Sequence, residues 1–265
     1  MDDLRRRIAA HEWYHTLELA PGVLTPGWYD TRQLAGRLPL PRSLAGRRCL
    51  DVGTFDGFWA FELERRGATE VVAIDLLEPE DWDWPAGREE ATVEALRRRK
   101  AAGDGFELAR AALGSAVVRR ERSVYALEPD HDGEFDFVYL GSLLLHLRDP
   151  VGALAAVRRV CRGELLVVDT VDLGLDLLHR RRPALSLDGV GRPWWFIPNR
   201  AALARMVEAA GFRVVDGPRL VTMPYGPGQP RRRPRARELL SRRAPEALLA
   251  ARGRDPHAAL LARPA

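Results

Sequence analysis

The segment Arg47–Leu76, with the sequence RRCLDVGTFDGFWAFELERRGATEVVAIDL, constrains the fold of this chain more than any other stretch. A short apolar run over residues 49–52 predicts a strand, and a turn with two glycines follows it. The apolar-rich stretch Phe58–Arg66 predicts a helix that ends at Gly67, and residues 71–74 predict a second strand. This order of elements is typical of the first half of a parallel, doubly wound sheet.

The turn and the end of the second strand carry residues that a nucleoside ligand needs. Gly53 and Gly57 let the backbone approach a ligand closely, and the new helix presents its N-terminal N–H groups. Asp75 follows the second strand, 18 residues after Gly57, where a carboxylate accepts hydrogen bonds from ribose hydroxyls. A Rossmann dehydrogenase shares this arrangement, so the unit alone leaves the cofactor open.

The spacing within the turn narrows the choice of cofactor. It reads D-x-G-x-x-x-G and not G-x-G-x-x-G, and Asp51 precedes the first glycine, where its carboxylate can reach the amino group of an amino-acid-bearing cofactor. This pattern resembles motif I of class I S-adenosylmethionine (SAM) methyltransferases, with Phe55 where a middle glycine often lies. An ordinary strand–turn–helix without a ligand is the alternative interpretation.

The composition is that of a globular protein. The 265 residues suit one large domain or a domain with extensions, and 46% of them are hydrophobic and 29% charged. No apolar run approaches the roughly 18 residues of a membrane helix, and no secretory signal opens the chain. The two cysteines, Cys49 on a predicted strand and Cys161 on a predicted helix, predict neither a disulfide nor a metal site. We therefore expect a cytoplasmic protein without a metal.

The net charge of +4 permits an anionic partner, but 40 of the 41 basic residues are arginine. Such a bias is typical of coding composition rather than of selection for phosphate contacts; Lys100 is the only lysine. The arginine-rich segment Pro227–Arg243 predicts a solvated surface excursion with one helix. A nucleic-acid-binding patch is the alternative, although the segment has no aromatic residues for base stacking.

The remaining elements alternate as a doubly wound α/β fold requires. Further helices are predicted at residues 4–12, 88–102, 105–113, 150–162 and 201–210, the last of them capped by Asn199, and further strands at 116–120, 135–140, 164–170, 212–215 and 258–262. Residues 173–192 predict a loop or a small helical excursion. We expect a Rossmann-like class I methyltransferase sheet of seven mostly parallel strands, with helices on both faces and an antiparallel last strand.

Residues 1–46 precede this unit and alternate aromatic residues with Pro-Gly turns. This pattern predicts an ordered N-terminal aromatic cap over the site, and a packed N-terminal extension is the alternative. The predicted organisation is a cap over residues 1–46 and a SAM-binding domain over residues 47–265. Within that domain, residues 221–256 are predicted to form an arginine-rich insertion before the last strand.

Two loops at the ends of predicted strands complete the cofactor site. The turn after residues 116–120 falls where class I methyltransferases hold the adenine, and the loop that begins at Gly141 faces the sulfonium and the acceptor. The predicted cofactor contacts are Asp51, Gly53, Thr54, Phe55, Gly57, Asp75, Leu76, Ser123, Val124 and Gly141.

Three segments together resemble the tRNA wobble-uridine carboxymethyltransferase family, whose members use a carboxylated SAM to modify 5-hydroxyuridine. They are LDVGTFDGFWAFELERRGATEVVAID, FDFVYLGSLLLHLRDP and WWFIPNRAALARMVEAAGF, and the terminal PHAALLARP resembles that family's last strand. The resemblance covers about residues 28–220 and the last strand. Its motifs are specific for SAM binding and only suggestive of the substrate.

The chain departs from this family at the residues that hold the extra carboxylate. Leu145 stands where the family has a tyrosine, His257 stands where it has an arginine, and the N-terminal segment has no lysine. A carboxylate buried without cationic and hydroxyl partners is costly, so we expect unmodified SAM. The 46 residues before the first strand are also fewer than that family's tRNA-contacting N-terminal portion.

Methyl transfer to a hydroxyl requires positioning and the removal of a proton. The candidate bases are His146 and His15, each with a structural role as the alternative. The aromatic candidates for an acceptor pocket, which are equally ordinary as core residues, are Tyr14, Trp28, Trp194 and Trp195. We predict a biosynthetic SAM-dependent methyltransferase that acts on a hydroxyl of a small molecule. The alternatives are a tRNA wobble-uridine modification enzyme, a catalytically silent SAM-binding subunit and a SAM-using enzyme with other chemistry.

Overall fold

The computed structural model describes residues 2–187 and 189–265, so Met1 of the predicted cap and Asp188 of the predicted loop lie outside the described residues. The strands are β1 (Glu18–Ala20), β2 (Val23–Leu24), β3 (Arg48–Val52), β4 (Glu70–Asp75), β5 (Val118–Glu121), β6 (Phe135–Gly141), β7 (Cys161–Thr170), β8 (Leu185–Leu187), β9 (Phe196–Pro198), β10 (Phe212–Pro224) and β11 (Arg254–Pro264). The helices are α1 (Asp2–Ala9), α2 (Phe58–Arg65), α3 (Glu90–Lys100), α4 (Asp104–Leu113), α5 (Pro129–Asp132), α6 (Pro150–Val160), α7 (Leu173–Leu178), α8 (Arg200–Ala209), α9 (Ala236–Leu239) and α10 (Ala244–Ala251).

Seven of these strands form one sheet in the order β10-β11-β7-β6-β3-β4-β5. The five strands from β7 to β5 pair in parallel, whereas β11 is antiparallel to both of its neighbours, β7 and β10. The predicted fold class, a Rossmann-like sheet with an antiparallel last strand, is confirmed. Because the parallel strands end at one edge, the loops that follow them meet there.

The central strands are buried on both faces, as their nearly continuous apolar sequences predict. In β3, Cys49 packs into one apolar cluster, whereas Leu50 and Val52 pack into a second cluster on the opposite face. The first cluster includes side chains of α2 and α4, and the second includes side chains of α6 and α8. The sheet is therefore covered by helices on both sides.

The N-terminal segment packs directly onto the first apolar cluster through Trp13 and Leu17. It folds back on itself, since the Thr16 N–H donates to the Tyr29 carbonyl over 2.8 Å, and a Cβ at Gly27 would lie 2.1 Å from the His15 backbone. A packed extension is therefore present. Its aromatic side chains also reach the site described below, so the two predicted alternatives describe the same segment.

Between β6 and β10, one predicted assignment is wrong and another is incomplete. Cys161 begins β7 rather than lying on the preceding helix, because its backbone is extended (φ −92°, ψ 109°) and pairs with Phe135. Residues 173–192, predicted as a loop or a small helical excursion, contain both α7 and β8, and β8 forms a hairpin with β9. The predicted cap of α8 is confirmed, since the Asn199 side chain accepts from the Ala202 N–H.

The last two strands of the sheet are longer than predicted. Beyond the strand predicted over residues 212–215, β10 continues through Gly217 and Pro218 with a register shift between Asp216 and Arg219. The arginine-rich insertion therefore spans residues 225–253 instead of 221–256. The one helix predicted within residues 227–243 is α9, and α10 follows that segment. Among the described residues, no helix is long and apolar enough to cross a membrane.

Candidate functional site

A cavity of about 430 Å³ lies where the parallel strands of the sheet end. Its wall includes Val52 and Gly53 at the end of β3, Asp75 at the end of β4 and Gly141 at the end of β6. A volume of this size is within the range of sites for small ligands and cofactors. The cavity is therefore at the edge of the sheet that the strand order predicts for a ligand.

The turn between β3 and α2 depends on glycine. Gly53 and Gly57 have φ values of 77° and 90°, a left-handed region that glycine adopts without strain. A Cβ at Gly57 would lie only 2.6 Å from the Phe61 ring. Gly53 and Phe55 line the cavity. Gly57 and the buried Thr54 belong to the same turn but are not part of the cavity wall.

Asp51, the residue predicted to meet the amino group of a cofactor, is also outside the cavity wall. Its side chain is buried, and Oδ2 accepts a hydrogen bond of 3.1 Å from the Ala60 N–H. Ala60 lies in the first turn of α2, where backbone N–H groups have no partner within the helix. Burial raises the pKa of Asp51 to about 7, and the nearby Thr54 hydroxyl opposes the increase. Asp51 thus fixes the helix to the strand.

Asp75 has the position predicted for the ribose-binding acid, and both of its oxygens have protein partners. Oδ2 accepts from the Phe55 N–H over 2.7 Å and forms an ion pair with Lys100, while Oδ1 accepts from the Leu76 N–H over 2.8 Å. The Lys100 side chain is 2% exposed, and its ammonium lies 4.5 Å from the centroid of the Phe55 ring. Because each carboxylate oxygen accepts more than one hydrogen bond, Asp75 retains capacity for ribose hydroxyls.

Asp56 attaches the N-terminal segment to the glycine turn. Its Oδ2 accepts hydrogen bonds from the backbone N–H groups of Tyr14 and His15, over 2.6 Å and 2.9 Å. The Tyr14 ring then stacks on Phe55 of the turn, with 4.8 Å between the ring centroids. Tyr14, His15 and Trp28 line the cavity, so the predicted aromatic residues of the cap do reach the site.

The loop after β6 is held by Asp169, a buried residue near the end of β7. Asp169 Oδ2 accepts from the N–H groups of Leu143 and Leu144 over 3.0 Å and 2.8 Å. The loop turns at Ser142, which has a φ of 50°, and Ser142 Oγ lies 3.0 Å from His257 Nε2. This arrangement places His146 at the end of the loop in the cavity wall.

The two candidate bases differ in how they are held. His146 Nδ1 is hydrogen-bonded to the Pro193 carbonyl; a carbonyl only accepts, so Nδ1 carries the proton and Nε2 is left as an acceptor. Burial lowers the pKa of His146, and the Pro193 carbonyl opposes the decrease. Burial, followed by the charge of Lys100, lowers the pKa of His15 to about 3. Both rings are therefore neutral at pH 7.

The two neighbouring tryptophans have different roles. Trp194 lines the cavity, whereas Trp195, the other tryptophan predicted as an acceptor contact here, is not part of its wall. The Trp195 indole N–H donates to the Asp83 carbonyl over 2.5 Å, and the Asp83 carboxylate accepts from the Tyr125 hydroxyl over 2.7 Å and from the Arg148 N–H over 2.9 Å. Asp83 and Trp195 thus join the loops around the cavity. Ser123, Val124, Leu76 and Gly141 all line the cavity.

Residues at the end of α3 are the largest omission of the sequence analysis. Residues 88–102 predict a charged amphipathic helix without a role in the site, but Arg99 and Lys100 line the cavity. One signal was available: a single lysine in a chain with 40 arginines stands out against the composition. Asp56 and Asp169 had no such signal, since each contacts residues distant in sequence.

Among the described residues, no group of His, Cys, Asp and Glu side chains could hold a metal ion.

A family model for a methyltransferase domain matches residues 29–216. The chain belongs to this methyltransferase family. The match starts within the N-terminal segment that packs on the sheet and ends in β10. The predicted membership in a methyltransferase family is therefore confirmed.

The chain is similar to methyltransferases with different acceptors. It is 30% identical over 184 residues to the tRNA U34 carboxymethyltransferase of Alcanivorax borkumensis, covering 66% of this chain and 48% of that protein. It is 32% identical over 120 residues to the ubiquinone biosynthesis O-methyltransferase of Methylococcus capsulatus, covering 45% and 41%. The chain spans about half the length of the curated relatives it matches.

The fold recurs in a solved structure with a low sequence identity. The magnesium protoporphyrin IX methyltransferase of Synechocystis, solved with bound S-adenosylhomocysteine (SAH), superimposes with a TM-score of 0.52 at 14% identity. The alignment covers 89% of this chain and 82% of that one. At this identity the similarity concerns the fold alone.

Proposed function

We propose that this methyltransferase transfers the methyl group of SAM to a hydroxyl oxygen of a small molecule that binds in the 430 Å³ cavity. SAM, when bound, supplies a methyl group activated by a sulfonium. The observation that carries the proposal is the placement of His146, whose Nε2 is the ring atom available to a ligand in the same cavity as the glycine turn.

The groups around the turn fit such a cofactor. The left-handed glycines leave room for a ligand next to the backbone, and Asp75 supplies the carboxylate for ribose hydroxyls. The Tyr139 hydroxyl is buried in the cavity wall and has no hydrogen-bond partner among the described residues, so a ligand's polar group would satisfy it. Adenine would lie against Ser123 and Val124, and the methionine end would lie beside Gly53 and Gly141.

His146 is the base in this proposal. A neutral imidazole whose Nδ1–H is fixed by a carbonyl presents its Nε2 lone pair to the acceptor hydroxyl and removes its proton as the new C–O bond forms. His15 is the poorer base, because a pKa of about 3 makes its ring a weak proton acceptor. In the proposal, His15 shapes the pocket with Tyr14 and Trp28, and Trp194 closes the opposite side.

The test combines cofactor binding with a survey of acceptors. SAH binding is measured by calorimetry, and transfer of a labelled methyl group is measured with phenols, catechols, aliphatic alcohols, amines and bulk tRNA. His146→Gln is expected to reduce kcat roughly 100-fold with SAH affinity unchanged. His131→Gln, on the exposed face of α5, is the matched control. Failure to bind SAH at millimolar concentration, or methylation of amines alone, would remove the proposal.

An RNA substrate is the second candidate, and one surface favours it. A groove of about 890 Å³ near α7 and α8 is lined by Arg180, Arg181, Arg182 and Arg200, and the relatives named above include a tRNA-modifying enzyme. Against it, Leu145 and His257 replace the family's carboxylate-holding residues in the cavity wall. Binding of bulk tRNA across a salt series distinguishes the candidates, since phosphate contacts give a steep dependence on salt.

A further inference from the structure

Arg99 is the cation in the cavity whose charge is least satisfied by the protein. Its side chain is 10% exposed, and its Nε has no hydrogen-bond partner among the described residues. The nearest carboxylate oxygen, on the half-exposed Glu12, is 3.7 Å from Nη2, which is beyond hydrogen-bond distance. Lys100 and Arg122, the other cations of the wall, are paired with Asp75 and Asp132.

The orientation of Arg99 is nevertheless fixed. Its guanidinium carbon lies 3.6 Å from the centroid of the Trp28 ring, and stacking of this kind leaves the planar N–H edge of the group free to bind a ligand. A charged group removed from water without hydrogen bonds is costly. The fork of guanidinium N–H groups matches the two oxygens of a carboxylate. The site therefore has an oriented, desolvated receptor for a planar anion.

We propose that Arg99 binds a carboxylate group of a ligand in this cavity. The carboxylate belongs either to the acceptor molecule or to the methionine end of the cofactor, and the same chemistry recognises both. This inference rests on the proposed function only for the identity of the cofactor. Carboxylate binding at Arg99 is measurable without turnover, so the carboxylate proposal and the proposed function can fail separately.

The experiment uses calorimetry with three probes and two variants. SAH carries the cofactor carboxylate, 5′-methylthioadenosine lacks the amino-acid end, and benzoate represents an aromatic carboxylate acceptor, with benzamide as its neutral counterpart. Benzoate is titrated both with and without SAH. Arg99→Met removes the charge and keeps an apolar stem against Trp28. Arg98→Met is the matched control, since Arg98 is on the same helix, is 56% exposed and pairs with Glu12 and Glu94.

Arg99→Met is expected to weaken one carboxylate probe at least tenfold and to leave 5′-methylthioadenosine within threefold. Loss of SAH affinity assigns the carboxylate to the cofactor, and loss of benzoate affinity without a change for benzamide assigns it to the acceptor. Arg99→Lys, which keeps the charge but not the fork, should recover only part of the affinity. Equal loss for 5′-methylthioadenosine and SAH, or identical behaviour of Arg98→Met and Arg99→Met, would overturn the proposal. If the wild type bound neither nucleoside, the proposed function would fall, and benzoate would still test Arg99.

Discussion

The two sides of the cavity are built in different ways. The proposed cofactor side is built around residues 48–75, one continuous segment in which β3, the glycine turn, α2 and β4 follow each other, and the loops at Ser123 and Gly141 complete it. The proposed acceptor side is assembled from the N-terminal segment, the end of α3, the loop after β6 and the residues before β9. Local backbone geometry is enough to form the cofactor side, whereas the acceptor side requires contacts between residues far apart in the chain.

Three aspartates, of which Asp56 and Asp169 are buried, make several of those distant contacts. Asp56 holds the N-terminal segment, Asp169 holds the loop that ends at His146, and Asp83 joins the loops that lead to Trp195. Each accepts hydrogen bonds from backbone N–H groups or indole and hydroxyl donors that would otherwise be unsatisfied near a cavity. Single carboxylates, and not a sequence motif, therefore position the proposed acceptor side.

The largest expected effect is on the cofactor side, at Gly57. Gly57→Ala places a methyl group 2.6 Å from the Phe61 ring at a φ of 90°, so both steric overlap and backbone strain oppose it. We expect the free energy of unfolding to fall by about 3 kcal/mol and SAH affinity to fall at least tenfold. Thermal unfolding and calorimetry measure the two quantities.

Gly114→Ala separates the effect of backbone strain from the effect of steric overlap. Gly114 ends α4 with a φ of 62°, and no atom lies within 4 Å of the position of its Cβ. Strain alone should cost about 1 kcal/mol there, with SAH affinity unchanged. Equal losses in the two variants would mean that the close packing behind the glycine turn is unimportant.

Signals that are local in the sequence predict the cofactor side better than the acceptor side. The helix predicted over Phe58–Arg66 is found over Phe58–Arg65, because its signals are apolar periodicity and the following Gly67, which are both local. Asp56 and Asp169 act on residues 42 and 26 positions away, and no local pattern encodes such a partner. Asp51, which the motif predicts as a cofactor contact, accepts a hydrogen bond from the backbone of α2, and the motif does not indicate this partner.

The second prediction concerns a variant, Asp56→Ala, that should loosen the acceptor side and leave the cofactor side intact. Asp56→Ala leaves the N–H groups of Tyr14 and His15 without their acceptor, which should lower the free energy of unfolding by roughly 2–4 kcal/mol. Hydrogen exchange of these two amides should accelerate, while the amides of β3 keep their protection. Asp104→Ala, an exposed carboxylate on α4, is the control and should change stability by less than about 1 kcal/mol. Uniform acceleration across the sheet would show that the two sides do not separate.

The third prediction concerns pH. Burial raises the pKa of Asp51 and Asp56 to about 7 and that of Asp169 to about 6. Between about pH 4 and pH 7 these groups hold more protons in the folded chain than in the unfolded chain, so their contribution to stability falls as the pH rises through this window and is constant above it. Asp51→Asn, measured by chemical denaturation at several pH values, should gain stability relative to wild type by on the order of 2 kcal/mol from pH 4 to pH 8. A pH-independent difference would contradict the raised pKa.

The smallest effect is expected where the two sides touch, at the stacked rings of Tyr14 and Phe55. Stacking of this kind contributes about 0.5–1.5 kcal/mol beyond the buried area, so Tyr14→Leu and Phe55→Leu should each weaken SAH binding only a fewfold. The double variant measures the coupling directly: if the stack transmits cofactor binding to the N-terminal segment, the two losses are less than additive. Tyr14→Phe keeps the ring and should leave the coupling intact. Additive losses would mean that Asp56, rather than the aromatic contact, is the physical link between the two sides.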